Sequence, residues 1–212
     1  MAMEKILILE APWSDEIEDT RATREIYSSA ETLLSVHPEQ LRIIQRPLVS
    51  STYIDDIDRF VSLDCNLRGP NVVIFSAHGV HSLVSGKKHR RELQAFDGDI
   101  NISKEVRKLN GKLGRTIFIL DACKIGIKPN SFRQATGALA VIGFTKTVDW
   151  VDSSIFVLAV LLRLQQSRVL HLKRARKNNE FKESTVKKVI ERMTDGVYKS
   201  LADSLGVQHD FA

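Results

Sequence analysis

The sequence runs GRTIFILDAC from Gly114 to Cys123, and its centre, positions 116–120, holds only β-branched, aromatic and aliphatic residues. A short uncharged run of this kind predicts a strand that is buried on both faces of a parallel sheet. Cys123 follows the end of this strand by three residues. Because open α/β folds place their chemistry at the carboxyl edge of the sheet, we expect the Cys123 thiol to lie at such an edge.

A second strand of the same design begins at Asn71 and ends in His78 followed by Gly79. If the two strands are neighbours, they bring a thiol and an imidazole to one edge, which is the pairing that a cysteine nucleophile needs. Gly79 has no side chain, so its N–H can approach a substrate closely. The N–H of Cys123 is the natural second donor for an oxyanion.

Strands and helices alternate along the chain in the order β-α-β-α-β-loop-α-β-loop-β-α-α. This alternation predicts an α/β fold with a mostly parallel sheet and helices on both faces. The 212 residues suit a single domain over 1–212, with a core at about 5–166 and a basic segment and C-terminal helix at 168–205.

Several element boundaries follow from periodicity and turn residues. A helix is expected over 15–35, and Cys65 falls in a second helical pattern that begins at Tyr53. Residues 79–99 are predicted to be the least regular part of the chain, a loop in which some residues can pair as a hairpin with its turn at Asp97-Gly98. The remaining predicted elements are a loop over 122–136, a helix capped by Asp152 or Ser153 and ending near Gln166, and one long amphipathic helix from Ser184 to Leu205.

The formal net charge is +5, and residues 163–188 are rich in Lys and Arg with few acids. A basic segment can bind nucleic acid, although a solvated helical face is the commoner meaning of such a pattern. Two cysteines at dissimilar sites make no disulfide framework and fit a reducing, cytoplasmic setting. The opening residues show no signal-peptide pattern, and the most apolar run, 155–162, is too short to cross a bilayer. No membrane partner is therefore expected.

No cofactor and no metal are predicted. The sequence has neither a Walker A pattern nor GxGxxG, so nothing indicates a nucleotide cofactor. Three histidines, His78, His81 and His89, fall close together in the chain, but no carboxylate or cysteine spacing completes a ligand set around them.

The two strand endings resemble a known family. A hydrophobic strand with Ser-Ala-His78-Gly79, followed by a hydrophobic strand with Asp121-Ala-Cys123, is similar to the paired motifs of the caspase-like (clan CD) cysteine peptidases. This group includes caspases, metacaspases, gingipain, separase and the bacterial CHAT-type peptidases. The short motifs gain specificity from their order and spacing.

The resemblance extends beyond the paired motifs. The segments Ala140-Val-Ile-Gly-Phe-Thr145 and Val148-Asp-Trp-Val-Asp152-Ser, followed by a helix, look like the region after the nucleophile in bacterial CHAT-like members. The matching region covers about 5–166. The resemblance implies a three-layer caspase-like fold and a bacterial setting in antiviral defence or regulated cell death.

The same resemblance implies roles for individual residues. His78 is the general base and acid, Cys123 is the nucleophile that forms an acyl-enzyme, and the amides of Gly79 and Cys123 form the oxyanion hole. In this family the first substrate pocket lies near the residues before the nucleophile and in the loop after the following strand. The matching residues here are Asp121, Asp149, Trp150 and Asp152.

Carboxylates in that pocket would suit a Lys or Arg side chain, so cleavage of a protein substrate after a basic residue is expected. The alternative left open is that Asp152 only caps a helix and that Trp150 only packs. It also stays open whether Asp121 braces the turn or shapes the pocket.

The chain departs from the caspase pattern in two ways. No pro-region and no linker between large and small subunits are evident, so caspase-style activating cleavage is not predicted. No repeat or sensor domain is attached, which favours a separate regulatory partner protein. The alternative function is an inactive caspase-like binding module that contacts nucleic acid or a partner protein through the basic segment 163–188.

Overall fold

The structure is a computed structural model, and it describes residues 4–11, 26–29, 41–62, 70–84, 88–174 and 183–212. The main sheet has six strands in the spatial order β2-β1-β3-β7-β8-β9, of which all but β9 run parallel. These strands are β1 (Glu4–Glu10), β2 (Leu41–Pro47), β3 (Asn71–Ser76), β7 (Thr116–Asp121), β8 (Ala140–Phe144) and β9 (Val207–Phe211).

A small antiparallel sheet follows β3 and occupies the segment predicted as an irregular loop. Its strands are β4 (Gly79–Val84), β5 (Lys88–Ala95) and β6 (Gly98–Ile100). The turn between β5 and β6 lies at Asp97-Gly98, as predicted, where Gly98 has a φ of 135° that favours glycine. The hydroxyl and N–H of Ser50 both donate to the Asp97 carboxylate and fix this turn to the loop after β2.

Helices cover both faces of the main sheet. They are α1 (Tyr53–Ser62), α2 (Ile102–Glu105), α3 (Pro129–Thr136), α4 (Trp150–Arg174), α5 (Glu183–Asp195) and α6 (Lys199–Leu205). Short 3₁₀ turns lie at Val106–Leu109 and Ile125–Ile127, and residues 26–29 are helical. No helix in these described ranges is long and apolar enough to span a membrane.

Alternate residues of each central strand enter two separate cores, because successive side chains of a strand point to opposite faces. One core contains Ile74 and Ile119 with the apolar stripes of α4 and α5, including Phe156 and Ile190. The other contains Phe75, Phe118 and Leu120 with Ile57, Phe60 and Phe132 from α1 and α3. The predicted three-layer α/β arrangement is therefore confirmed.

Three predicted elements were wrong in detail. The loop predicted at 122–136 contains α3, whose first residue is Pro129, a favourable residue at that position. The helix predicted to end near Gln166 continues to Arg174. The single helix predicted from Ser184 to Leu205 is two helices interrupted at 196–198, and they are followed by the unpredicted strand β9. Most of the helix predicted at 15–35, as well as Cys65, lies outside the described residues.

Candidate active site

His78 and Cys123, the candidate base and nucleophile, follow the neighbouring strands β3 and β7 at equal distances from the last paired residues. In the parallel pairing of β3 with β7, the last partners are Ser76 and Asp121. His78 and Cys123 each come two residues after these partners. The register of the sheet therefore brings both residues to one carboxyl edge, as the sequence predicted.

Gly79 and Cys123 pack backbone against backbone. A Cβ atom added to Gly79 would lie 2.0 Å from the carbonyl oxygen of Cys123 and 3.0 Å from its nitrogen. No side chain fits there, so the glycine is required for space, not for an unusual φ. This contact draws the segment after His78 directly against the peptide units of the candidate nucleophile.

The Cys123 sulfur is enclosed by the loop after β8. The side chain is 7% exposed, and the N–H of Val148 donates to Sγ at 3.4 Å. The thiol also lies 3.7 Å from the Val148 carbonyl oxygen, to which it can donate. An N–H directed at the sulfur stabilises negative charge there, which a thiolate nucleophile requires. No hydrogen bond joins the His78 ring to Sγ within the described part of the chain.

The chain turns sharply just after the thiol. Lys124 has a φ of 56°, in the left-handed region that a residue with a side chain rarely adopts. Its N–H donates to the carbonyl of Lys146 at 3.0 Å. Gly126 then packs on the backbone of β8, where a Cβ would lie 2.3 Å from the carbonyl carbon of Gly143. A strained residue next to a candidate nucleophile is typical of functional sites.

The loop that encloses the thiol is in turn held by the turn between α6 and β9. The N–H and the hydroxyl of Thr145 both donate to the carbonyl of Gly206, at 3.0 and 2.9 Å. The Lys146 ammonium donates to the carbonyl of Asp203 at 2.6 Å. These bonds fix residues 145–148, and through them the donor that faces the Cys123 sulfur.

Asp121 lies beneath the edge and not in an open pocket. Its side chain is fully buried, and one carboxylate oxygen accepts from Tyr27 at 2.8 Å and from Ser76 at 3.3 Å. The other oxygen has no hydrogen-bond partner among the described residues. Burial raises the pKa of this carboxyl to about 6, although the nearby hydroxyls of Ser153, Tyr27 and Ser76 oppose the shift.

This burial corrects the expectation that Asp121 contacts substrate. A carboxylate with no exposed surface cannot reach a substrate side chain unless the edge rearranges. Of the two readings left open by the sequence, the geometry favours the one in which Asp121 braces the turn. Tyr27, which reaches Asp121 from the helical residues 26–29, was not singled out in the sequence because nothing in a helical pattern marks a tyrosine that bonds to a distant strand.

The other predicted pocket residues lie at the start of α4. Asp149 is exposed and caps this helix, since its carboxylate accepts from the N–H groups of Val151 at 2.8 Å and Asp152 at 3.4 Å. The cap was predicted at Asp152 or Ser153, and both instead lie inside the first turn. Asp152 is exposed, Trp150 is half-buried, and Ser153 is buried.

Asp152 has a free carboxylate. It makes no hydrogen bond or ion pair with another side chain in the described ranges. Two apolar side chains lie close to it on the same helix, Val151 at 38% and Ile155 at 47% exposure. The first turns of α4 therefore offer one exposed capping carboxylate, one free carboxylate and two exposed aliphatic groups. Among the described residues, no group of three or more His, Cys, Asp or Glu is placed to hold a metal ion.

Comparisons of sequence found no relative, whereas comparisons of structure did. No protein-family model matches the sequence, and no curated protein matches it. A secreted cysteine protease from Bacteroides thetaiotaomicron, solved with an irreversible peptide inhibitor, is similar with a TM-score of 0.51 at 12% identity. That match covers 92% of this chain and 59% of the protease. The Arg-specific cysteine proteinase gingipain R is similar with a TM-score of 0.51 at 16% identity, over 95% of this chain and 44% of the proteinase.

The fold class defined by the sheet order and the helical layers is that of the caspase-like cysteine peptidases. Gingipain is one of the peptidases whose motifs the sequence resembles, so the predicted caspase-like fold is confirmed. The chain spans about three-fifths of the first of these two proteins and less than half of the second.

Proposed function

We propose that this chain is a cysteine peptidase in which Cys123 is the nucleophile and His78 is the general base and acid. The observation that carries the proposal is the backbone contact between Gly79 and Cys123 at the ends of two paired strands. It joins a segment that ends in an imidazole to one that ends in a thiol, at the edge where α/β folds carry their chemistry.

The proposed reaction has two halves, in which Cys123 is first acylated and then released by water. His78 accepts the Cys123 proton, and the thiolate attacks the carbonyl carbon of the substrate. The N–H groups of Gly79 and Cys123 receive the oxyanion of the tetrahedral intermediate. Protonated His78 then gives its proton to the leaving amine, which leaves an acyl-enzyme. Water, deprotonated by His78, hydrolyses the thioester and regenerates the thiol.

The surroundings of the sulfur fit this sequence of steps. The Val148 N–H supports negative charge on Sγ before the attack and after the acyl group leaves. The His78 backbone is tied to β5, because its carbonyl accepts from the N–H of Gln94 at 3.0 Å. The His78 ring and the sulfur are not hydrogen-bonded to each other in the described part of the chain, and catalytic contacts of this kind commonly tighten when substrate binds.

We extend the proposal to substrate preference. Asp152, with help from Asp149, would hold a Lys or Arg side chain on the amino side of the cleaved bond. Asp152 is the better candidate because the Asp149 carboxylate already caps α4. Trp150 and the exposed Val151 would border the bound peptide. Of the predicted pocket residues, Asp121 is dropped from direct contact with substrate.

The setting remains part of the proposal. A bacterial CHAT-like peptidase acting in defence or regulated cell death, in a cytoplasmic compartment and under the control of a partner protein, fits the motifs of residues 140–153. The alternative is an inactive caspase-like module. The low exposure of Cys123 and its missing bond to His78 are the features that favour this alternative. Much of the basic segment 163–188, which this alternative would use for binding, lies outside the described residues.

Labelling with peptidyl acyloxymethyl ketones tests the activity. A probe with lysine next to the electrophile should label the wild type, and labelling should disappear in Cys123→Ala but persist in Cys65→Ala, which removes the only other cysteine. The His78→Ala variant should label at least about 100-fold more slowly, because its thiol lacks a base. Labelling that survives Cys123→Ala, or no labelling of the wild type by probes of any side chain, would contradict a peptidase.

A matched pair of probes tests the preference separately. The lysine probe should label at least about tenfold faster than the aspartate probe, and Asp152→Asn should reduce that ratio to near one. If the aspartate probe reacts faster, the activity stands and the proposed preference is wrong.

A further inference from the structure

A groove lies between α4 and α5, on the helical layer that packs against the sheet. Residues from two successive turns of α4 form one wall. Residues with the same spacing on α5 form the other wall. The link between α5 and α6 closes one end. The lining residues are Arg163, Gln166, Ser167, Val189, Arg192, Met193, Gly196, Val197 and Tyr198.

The rim of this groove is cationic and lacks a counter-charge. Arg163 and Arg192 stand on opposite walls, and none of the lining residues is acidic. Arg163 donates to Gln166 at 3.1 Å, which leaves most of its guanidinium N–H groups free, and Arg192 pairs with no described side chain. Of the acids nearby on α5 and α6, Glu191 lies 3.9 Å from Lys187 and Asp203 lies 2.9 Å from Lys199. The exposed Asp195 is not part of the lining. Two guanidinium groups that line one groove, with no acid in its lining, favour an anion between them.

The floor of the groove is apolar. Val189 and Met193 are buried in the core beneath it, Tyr198 is half-buried, and Val197 at the closed end is 88% exposed. The cavity has a volume of about 410 Å³. This volume falls in the range of small-molecule sites, and it is too small for a protein helix with its side chains.

We propose that this groove binds a small organic anion. A carboxylate or phosphate group lies between Arg163 and Arg192, and a flat apolar body rests on Val189 and Met193 beside Tyr198. Arginine is suited to both head groups because its planar fork binds their oxygens in pairs.

The site is separate from the candidate active site. Arg163 is 13 residues along α4 from Trp150, which corresponds to roughly 20 Å of helix. Binding in the groove does not depend on the reactivity of Cys123, so the two proposals can fail independently.

Calorimetric titration with charged and neutral ligand pairs tests the proposal. The pairs are AMP with adenosine, and 4-phenylbutyrate with 4-phenylbutyramide, and inorganic phosphate serves as the head group without a body. At least one organic anion should bind at least about tenfold more tightly than both its neutral partner and inorganic phosphate. The pair that responds distinguishes a phosphate ligand from a carboxylate ligand.

Variants locate the binding. Arg163→Gln and Arg192→Gln should each weaken the anion at least about tenfold and leave the neutral compounds unchanged. Lys188→Gln removes the same charge from an exposed position of α5 outside the groove and should have less than about a threefold effect. Equal losses in all three variants, full affinity in the arginine variants, or no organic anion that binds below millimolar concentration would overturn the proposal.

Discussion

The carboxyl edge of the sheet has an inner side and an outer side, and carboxylates that look alike in the sequence differ sharply between them. On the inner side, Asp121 is fully buried against Tyr27 and Ser76. On the outer side, Asp149 and Asp152 are exposed at the start of α4. Closeness to the candidate nucleophile in the chain therefore does not decide which carboxylate is open to a substrate. The element decides it, because Asp121 is the last residue of a buried strand, whereas Asp149 and Asp152 lie where α4 begins.

Disrupting the backbone contact between Gly79 and Cys123, the tightest on the inner side, should give the largest loss of stability. Gly79→Ala places a Cβ within 2.0 Å of the Cys123 carbonyl oxygen, and a backbone atom cannot move aside as a flexible side chain can. We expect the free energy of unfolding, measured by urea denaturation, to fall by about 3 kcal/mol or more. Probe labelling of Cys123 should be lost under conditions where the variant is still folded.

Gly114→Ala is the matched control for this variant. A Cβ at Gly114 would lie 3.9 Å from its nearest neighbour, the carbonyl oxygen of Gly137, which is an ordinary contact. Its stability should change by less than about 1 kcal/mol. Equal stability of the two variants would mean that Gly79 and Cys123 are not packed as described.

The buried carboxylate of the inner side should make stability depend on pH. The pKa of Asp121 is raised from 3.8 to about 6 in the folded protein, so the native state binds the proton more tightly than the unfolded state does. The free energy of unfolding should therefore fall as pH rises from about 4 to about 6, by up to about 3 kcal/mol from this group.

Asp121→Asn isolates that contribution, because asparagine has nearly the same shape and does not titrate. Unfolding of both proteins is followed at several pH values from 4 to 7, and the difference in stability between them is plotted. The stability of the wild type relative to the variant should decrease across this range. A difference that is flat or that rises with pH would show that the Asp121 carboxylate is solvated or is paired with a cation.

Substitutions of the two carboxylates on the outer side should give the smallest changes in stability. Asp149→Ala removes the acceptor for the first N–H groups of α4 and should cost about 1 kcal/mol. Asp152→Ala, three residues later in the first turn of that helix, removes a carboxylate that makes no hydrogen bond with the described residues and should cost less than about 0.5 kcal/mol. Thermal denaturation of the two variants gives the comparison. A larger loss for Asp152→Ala would mean that the cap had been assigned to the wrong residue.

The central fold could be predicted because its signals are local and strong. The uncharged runs 72–77 and 116–120 have the length and composition of buried parallel strands, and alternation with helices leaves few arrangements. The meeting of His78 and Cys123 at one edge follows from the parallel direction of those strands. The structure adds the register of the two strands. Because Ser76 pairs with Asp121, His78 and Cys123 lie at the same height along the sheet edge.

The remaining differences depend on neighbours that the local pattern does not contain. Strand β9 reads VQHDF, a weak signal, and it forms because the free edge of β8 accepts an antiparallel strand. The ion pair of Arg133 with Asp210 then joins it to α3. The burial of Asp121 depends on Tyr27, 94 residues away in sequence, so no window around the nucleophile could reveal it.

The carbonyls of Asp203 and Gly206 accept the hydrogen bonds that fix the loop at Thr145 and Lys146. Both acceptors are synthesised after the loop that they fix. The acceptor that secures Thr145 comes 61 residues later in the chain. During synthesis, His78 and Cys123 leave the ribosome long before the residues that fix the loop around the sulfur. A nascent chain that ends before Asp203 therefore carries every group of the proposed chemistry without the finished enclosure, so we expect the proposed activity to appear only after residues 203–206 have been made.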